Sequence, residues 1–233
     1  MDAVLLFSGQ GAQKVGMGKD LYDQYPVAKA LIEQADKALG ESLSAVMFEG
    51  PGEELTRTCN CQPALYVHGL ACLAVLKELV PSLNPVAAAG LSLGEFTAHA
   101  AAGTYSFEEG LRLVQKRGAF MEEACNATKG TMAAMIGGTD ENVIKLAQEC
   151  DVDVANFNCP GQTVVSGTEE GVAKAVAGAK AAGCKIAKKL NVAGAYHSRL
   201  MHSAMVKLAE ELKNISFGTP SMPVYCNYEA RVV

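Results

Sequence analysis

No apolar run in the 233-residue chain approaches the roughly 18 to 20 residues a membrane span needs, so no membrane partner is expected. There is no basic stripe either. Twenty Lys and Arg stand against 25 Asp and Glu, and a net charge of −5 argues against non-specific nucleic-acid binding as the main activity. An anionic substrate would need a local positive group. The eight cysteines, at 59, 61, 72, 125, 150, 159, 184 and 226, form no Cys-x-x-Cys pair. Cys59 and Cys61 are too close together for a zinc knuckle, so buried reduced thiols, a reducing compartment and no metal site are expected. The N-terminal Met1-Asp2-Ala3-Val4-Leu5-Leu6-Phe7 carries no basic n-region, which predicts a cytoplasmic protein without a signal peptide. Plastid stroma or mitochondrion would apply if a transit peptide had been removed. Repeats and low-complexity tracts are absent, and what remains is an ordinary globular composition, 49% hydrophobic and 19% charged. The length suits one large domain or two small ones.

The most informative stretch that is present runs from Ala87 to Phe96. A short apolar strand enters Gly90-Leu91-Ser92-Leu93-Gly94 and leaves directly into helix-forming residues, the pattern of a nucleophile elbow. A sharp strand-to-helix turn pushes the Ser92 hydroxyl out of the backbone, and side chains at Gly90 or Gly94 would crowd the neighbouring turn. Leu93 then offers a backbone N–H at a helix start, where unpaired donors and the positive dipole end can meet an oxyanion. A second glycine-rich loop, Ser8-Gly9-Gln10-Gly11-Ala12-Gln13, follows an apolar strand at residues 3–7. There the glycines leave the Gln10 N–H accessible for an oxyanion or phosphate, or simply make a tight turn.

Periodicity orders the rest. Helix is expected over 17–39, broken at Pro26 and closed by Gly40, then a short amphipathic piece at 43–49 and an acidic helix start after Pro51. Gln62-Pro63 opens a long buried helix to Val80. After the elbow helix, Ser106-Phe107-Glu108-Glu109 forms a capping box for a helix to about Asn126, which places Arg117 and Met121 on one face. Residues 131–190 read as βαββαβ, with strands at 131–136, 152–157, 162–166 and 184–190 and helices at 140–150 and 168–182. Asn158-Cys159-Pro160-Gly161 serves as the turn between the two central strands. This is a ferredoxin-like unit inserted into a larger α/β domain. The expected architecture is an α/β-hydrolase-like large subdomain with a parallel sheet, residues 1–128 and 192–233, and a ferredoxin-like small subdomain, residues 129–191.

Of the four histidines, His68 falls inside the buried helix, His99 on the elbow helix and His202 on a helix facing solvent. His197 stands apart. It follows Gly194-Ala195-Tyr196 in a small-residue loop and precedes a helix to about Lys213, which suits a side chain acting as a general base. A last core strand is expected around Pro223–Asn227.

Taken together, Gly9-Gln10-Gly11-Ala12-Gln13, Gly90-Leu91-Ser92-Leu93-Gly94-Glu95, Gln115-Lys116-Arg117-Gly118 and Gly194-Ala195-Tyr196-His197-Ser198 resemble the malonyl-CoA:acyl-carrier-protein transacylases. The four motifs match in order and spacing, along the whole chain. Gln62, Met121 and Asn158 also fall where that family has matching residues. The resemblance implies a Ser92 nucleophile, His197 as its base, an oxyanion hole from the N–H groups of Gln10 and Leu93, and a substrate site of Arg117, Met121, Gln62, Tyr196 and Asn158. It implies malonyl-CoA and acyl carrier protein as partners, no cofactor beyond the phosphopantetheine the partner carries, and a monomer. Arg117 would clasp the malonyl carboxylate through two parallel hydrogen bonds and so reject acetyl groups. Without the motif, it reads as a surface helix arginine.

The sequence departs from the family at two places. Members continue for several more elements, including a segment that hydrogen-bonds the catalytic histidine, so a fragment or an incomplete site is expected. Tyr196 stands where malonyl-selective members usually have phenylalanine. The competing readings are a transacylase for another extender unit, an inactive fragment and a serine esterase. An esterase would want an acidic residue between Ser92 and His197 on the main sheet, an interval occupied here mostly by the inserted unit.

Overall fold

The first apolar run forms β1 (Asp2–Phe7), and the chain continues through α1 (Lys19–Gln24), α2 (Pro26–Leu39), α3 (Leu43–Glu49), α4 (Gly52–Thr56) and α5 (Thr58–Leu79). Then come β2 (Asn84–Gly90), α6 (Leu93–Ala101), α7 (Phe107–Ala127), β3 (Gly130–Ile136), α8 (Asp140–Glu149), β4 (Asp153–Cys159), β5 (Gln162–Thr168) and α9 (Glu169–Gly178). β6 (Ile186–Lys189), a 3-10 turn at Arg199–Met201, α10 (His202–Leu212) and β7 (Val224–Tyr225) complete the computed structural model, which describes residues 1–233. Two units emerge, Met1–Ala119 with Glu210–Val233, and Phe120–Ala209.

In the first unit β1, β2 and β7 make a parallel sheet with β2 in the middle. Parallel neighbours release their following loops at the same edge, so the loop after β1 and the elbow after β2 emerge side by side, with Phe7 paired to Gly90 at the last register position. Leu5, Ala88 and Val224 share the face that packs on Leu73, Ala98 and Ala102. The larger core lies between helices, where Ile32, Met47, Leu55, Leu93, Leu111 and Val114 pack around Tyr66 and its buried neighbours on α5.

α5 is long and apolar enough to cross a membrane by length and composition, a property masked in the sequence by Gln62 and His68. Here twelve of its 22 residues are buried in protein. It also starts earlier than expected, and Pro63 lies inside it rather than at its first turn. The Arg57 carbonyl accepts the Asn60 and Cys61 N–H groups, which closes a turn ahead of the proline. Against that turn packs Gly118 of α7, where a Cβ would stand 2.5 Å from the Thr58 carbonyl oxygen. The capping box of α7 forms as expected: Ser106 N–H and Oγ donate to Glu109 Oε2 at 3.1 and 2.7 Å, and Glu109 N–H returns to Ser106 Oγ at 3.2 Å.

The second unit is an antiparallel sheet in the order β4-β5-β3-β6, the strand arrangement of a ferredoxin-like βαββαβ unit. α8 and α9 cover one face around Ala133, Met135, Val165 and Val172. The other face, with Met132, Ala134 and Val164, packs on Met121, Tyr196 and Met201. This second cluster makes the unit wider than residues 129–191, because it draws in the end of α7, the His197 loop and most of α10. Two boundaries shift. α9 ends at Gly178 rather than Ala182, and Asn158 and Cys159 belong to the edge strand β4, leaving Pro160-Gly161 as the hairpin turn. Gly161 supplies the positive φ of that turn, at 78°.

Candidate active site

Ser92 sits at φ 53° and ψ −104°, a backbone conformation that L residues rarely adopt and that is expected of a nucleophile held on a strained turn. The two flanking glycines make it possible. A Cβ on Gly90 would lie 2.0 Å from the Gly94 carbonyl carbon, and one on Gly94 would lie 2.2 Å from the Phe7 carbonyl oxygen. The turn is then tied down from outside. Leu91 N–H donates to Phe7 O at 3.1 Å, and Ser92 N–H donates to Asn227 Oδ1 at 2.7 Å. Asn227 N–H in turn donates to Glu95 Oε2 at 2.9 Å, so the loop after β7 braces both sides of the elbow. Leu93 is the first residue of α6, where a backbone N–H has no acceptor within the helix.

Beside the elbow runs the Gly9-Gln10-Gly11 loop. A Cβ on Gly9 would be 2.6 Å from the Leu91 carbonyl oxygen, so only glycine lets this backbone lie so near the turn that carries Ser92. Gly11 has φ 111°, and its N–H donates to Gln13 Oε1 at 2.7 Å. Burial raises the Cys61 thiol pKa to about 12, opposed by a bond with the Gly11 backbone, which marks where this loop rests on α5.

Arg117 is the charged group of this region. It is 9% exposed, donates from Nη1 to Gln62 Oε1 at 2.7 Å and from Nη2 to Ser92 Oγ at 3.0 Å, and lies over the Phe96 ring at 5.2 Å. Burial lowers its pKa to about 10, with the charge of Glu95 pulling the other way, so it remains a cation at neutral pH. Two of its five donors go to Gln62 and Ser92, which leaves the rest of the fork for an anion. Gln62, fully buried, serves as the carbonyl that orients this fork. A buried cation carries a desolvation cost that an anionic ligand would offset.

Ser92, Leu93, Gln10, Gln62 and Arg117 thus belong to the first unit, while Met121, Tyr196, His197 and Asn158 belong to the second. Met121 and Tyr196 share a buried cluster, and Tyr196 bonds with Cys125. His197 is exposed on a turn with φ 58°. Asn158 is exposed near the end of β4. The other histidines fall as expected. His99 Nδ1 lies 3.1 Å from Thr104 Oγ1, burial lowers the pKa of both His68 and His99, and His202 is exposed. Sequence reading missed Asn227 and gave Glu95 no role. Glu95 had a local signal in its position just after the elbow, whereas Asn227 has none, since its partner Ser92 is 135 residues away.

Comparison with known proteins identifies the family. Residues 4–232 match the family model described as an acyl transferase domain. The malonyl CoA-acyl carrier protein transacylase of Bacillus subtilis is 45% identical over 233 residues, covering 98% of this chain and 73% of that protein. The transacylase structure from Coxiella burnetii superposes with a TM-score of 0.94 at 36% identity, over 99% of this chain and 74% of that one. A malonyl-transacylase solved in complex with a type II polyketide synthase acyl-carrier protein gives 0.94 at 37% identity, over 99% and 75%. With a family model spanning nearly its whole length and relatives well above 30% identity, the chain belongs to the malonyl-CoA:acyl-carrier-protein transacylase family.

Proposed function

We propose that the chain transfers the malonyl group from malonyl-CoA to the phosphopantetheine thiol of an acyl carrier protein of fatty-acid or polyketide synthesis, through a malonyl ester on Ser92. The observation that carries this reading is the buried Arg117 guanidinium in contact with Ser92 Oγ. In a malonyl ester the free carboxylate is one methylene from the carbonyl carbon, so a cation touching the nucleophile lies within reach of it. An acetyl ester would leave the same buried cation without an anion.

In the first half-reaction Ser92 Oγ attacks the thioester carbon while His197 takes the hydroxyl proton, and the N–H groups of Leu93 and Gln10 hold the oxyanion. Collapse expels CoA as its thiol, with the proton returned by His197. In the second, His197 takes the proton of the phosphopantetheine thiol, whose sulfur attacks the ester, and Ser92 recovers its proton. The roles of Leu93 and Gln10 are supported by their place at a helix start and beside the elbow, and that of His197 by its exposed turn and the Gly194–Ser198 motif. Gln62 enters as the orienting partner of Arg117.

Incubation with labelled malonyl-CoA tests this directly. Label is expected on the wild-type protein and not on Ser92→Ala. His197→Ala is expected to slow both half-reactions by roughly 100- to 10,000-fold, as for loss of a general acid-base. Label retained without Ser92 would end the ester reading, and slowing of one half-reaction alone would end the shared-base assignment.

A further inference from the structure

His197 holds a backbone conformation uncommon for any residue but glycine, although histidine adopts it more readily than most. Its φ of 58° lies in the left-handed region, which costs a non-glycine residue some strain that the surrounding structure must offset. On the upstream side, Gly194, Ala195 and Tyr196 are buried, and Tyr196 packs with Met121, Met132 and Met201. Downstream, Ser198 Oγ donates to the Ala195 carbonyl at 2.7 Å and accepts the Leu200 N–H at 3.2 Å, which closes the turn on itself. Arg199 then fastens that turn to the sheet. Its backbone N–H donates to Asp153 Oδ2 at 2.7 Å, Nε to Oδ1 and Oδ2 at 3.0 and 3.1 Å, and Nη2 to Oδ1 at 2.8 Å. Nη1 reaches Asp151 Oδ1 at 2.7 Å. Asp153 opens β4 and pairs with Ser166 of β5, so the anchor belongs to the rigid ladder, whereas Asp151 is an outlying and largely exposed partner.

Exposed ion pairs add little to global stability, and the Arg199 side chain is more than half exposed. The effect of this pair is local. A backbone strain confined to one residue needs only a comparably small opposing term, and a fork-to-carboxylate contact reinforced by a backbone N–H supplies it two residues from His197. We propose that the Asp153–Arg199 clamp is a positioning element of the transacylase reaction, holding the His197 turn so that its imidazole is aimed for proton transfer. The proposal rests on the reading of His197 as the base.

The test compares Arg199→Ala, Arg199→Lys, Asp153→Asn and Asp151→Asn in the wild-type and His197→Ala backgrounds. Acylation rate with labelled malonyl-CoA, KM and Tm are read for each. Arg199→Ala and Asp153→Asn are expected to slow acylation roughly 10- to 100-fold, the scale of a small misplacement of a catalytic group, with KM for malonyl-CoA within about twofold of wild type. Lysine recovers part of the rate, because a point charge reaches a carboxylate without reproducing the fork. Asp151→Asn has the smallest effect. In the His197→Ala background all four changes are expected to alter the rate by less than about twofold, since the group they position is gone. Equal losses in both backgrounds, or a rate loss matched by a fall in Tm in the milder Arg199→Lys and Asp153→Asn proteins, would reduce the clamp to a structural contact and overturn the proposal. If His197→Ala were slow while Arg199→Ala and Asp153→Asn ran at the wild-type rate, the clamp alone would fall. A wild-type rate in His197→Ala would instead remove the base assignment, and the clamp with it.

Discussion

In the first unit the parallel sheet presents Leu5, Ala88 and Val224 to its core and turns Val4 and Leu6 outward, 57% and 77% exposed, with Leu6 in register with Ala89 and Tyr225. In the second, the antiparallel sheet buries every residue of β3 from Thr131 to Met135, three on one face and two on the other. Parallel sheets are usually covered on both faces, and antiparallel ones commonly meet water on one. Among the residues present here the pattern is the reverse, in a chain that spans 73% of the length of its Bacillus subtilis relative. The second sheet is the middle layer of its unit, with an apolar cluster on either side. The first is an edge layer beside a core centred on α5, and its contribution to the site is to release two loops at one end: the elbow, and the Gln10 loop beside it.

The sharpest way to break this comparison is at the elbow, where the first unit depends on backbone contact rather than side-chain burial. Gly90→Ala would drive a Cβ to 2.0 Å from backbone. A destabilisation on the order of 4 kcal/mol or more is expected, in the extreme tail of single substitutions, with loss of acylation. A near-native Tm and full activity in this variant would mean that the elbow can relax, and that the glycines are not what fixes it.

A paired measurement addresses the two faces. Met132→Ala and Met135→Ala, on opposite faces of β3, are each expected to cost roughly 2–5 kcal/mol, as methionine truncations in a closed core do. On β1 the same test should split by face. Leu5→Ala falls in that range, while Leu6→Ala costs less than about 0.5 kcal/mol as an exposed substitution. Urea midpoints for the four proteins decide it. A Leu6 effect as large as those in β3 would show that the outward face is covered in solution.

Substrate choice sharpens the contrast further, because Arg117 and Gln62, proposed above to bind the carboxylate, lie wholly in the first unit. Arg117→Ala is expected to lower the malonyl-to-acetyl ratio of kcat/KM by about 100-fold, the size of a lost charge-assisted bond at a buried site. Tyr196→Phe, in the second unit, is expected to move that ratio less than about threefold, because it keeps the ring that packs on Met121 and Met201. A ratio unchanged in Arg117→Ala would make the arginine structural, and a large change in Tyr196→Phe would place selectivity in the second unit.

Features with short-range causes were legible from the residues alone. The elbow glycines, the Ser106–Glu109 capping box, the Gly40 helix stop and the βαββαβ order all follow from local sterics, local hydrogen bonds or side-chain period. Less legible was anything set by a distant partner. The start of α5 at Thr58 depends on a turn against which α7 packs at Gly118, and a proline rule applied to Gln62-Pro63 alone cannot anticipate it. The wider second unit depends in the same way on Tyr196 and Met201 joining the sheet face of Met132.

By itself, then, the sequence determined that a serine would stand on a sharp turn between strand and helix, because the backbone there admits only glycine on either side of it. Only the tertiary structure decided what Arg117 is. On a solvated helix face the same arginine would be a surface charge. Buried against Gln62, 55 residues away, and Ser92, 25 residues away, it becomes a cation stripped of water and in contact with the Ser92 hydroxyl. Asn227 belongs with it, since its amide meets the Ser92 N–H only because β7 pairs beside β2. Periodicity tells which face of an element is apolar. Which faces meet, and which polar groups they desolvate together, is settled only when the chain closes on itself.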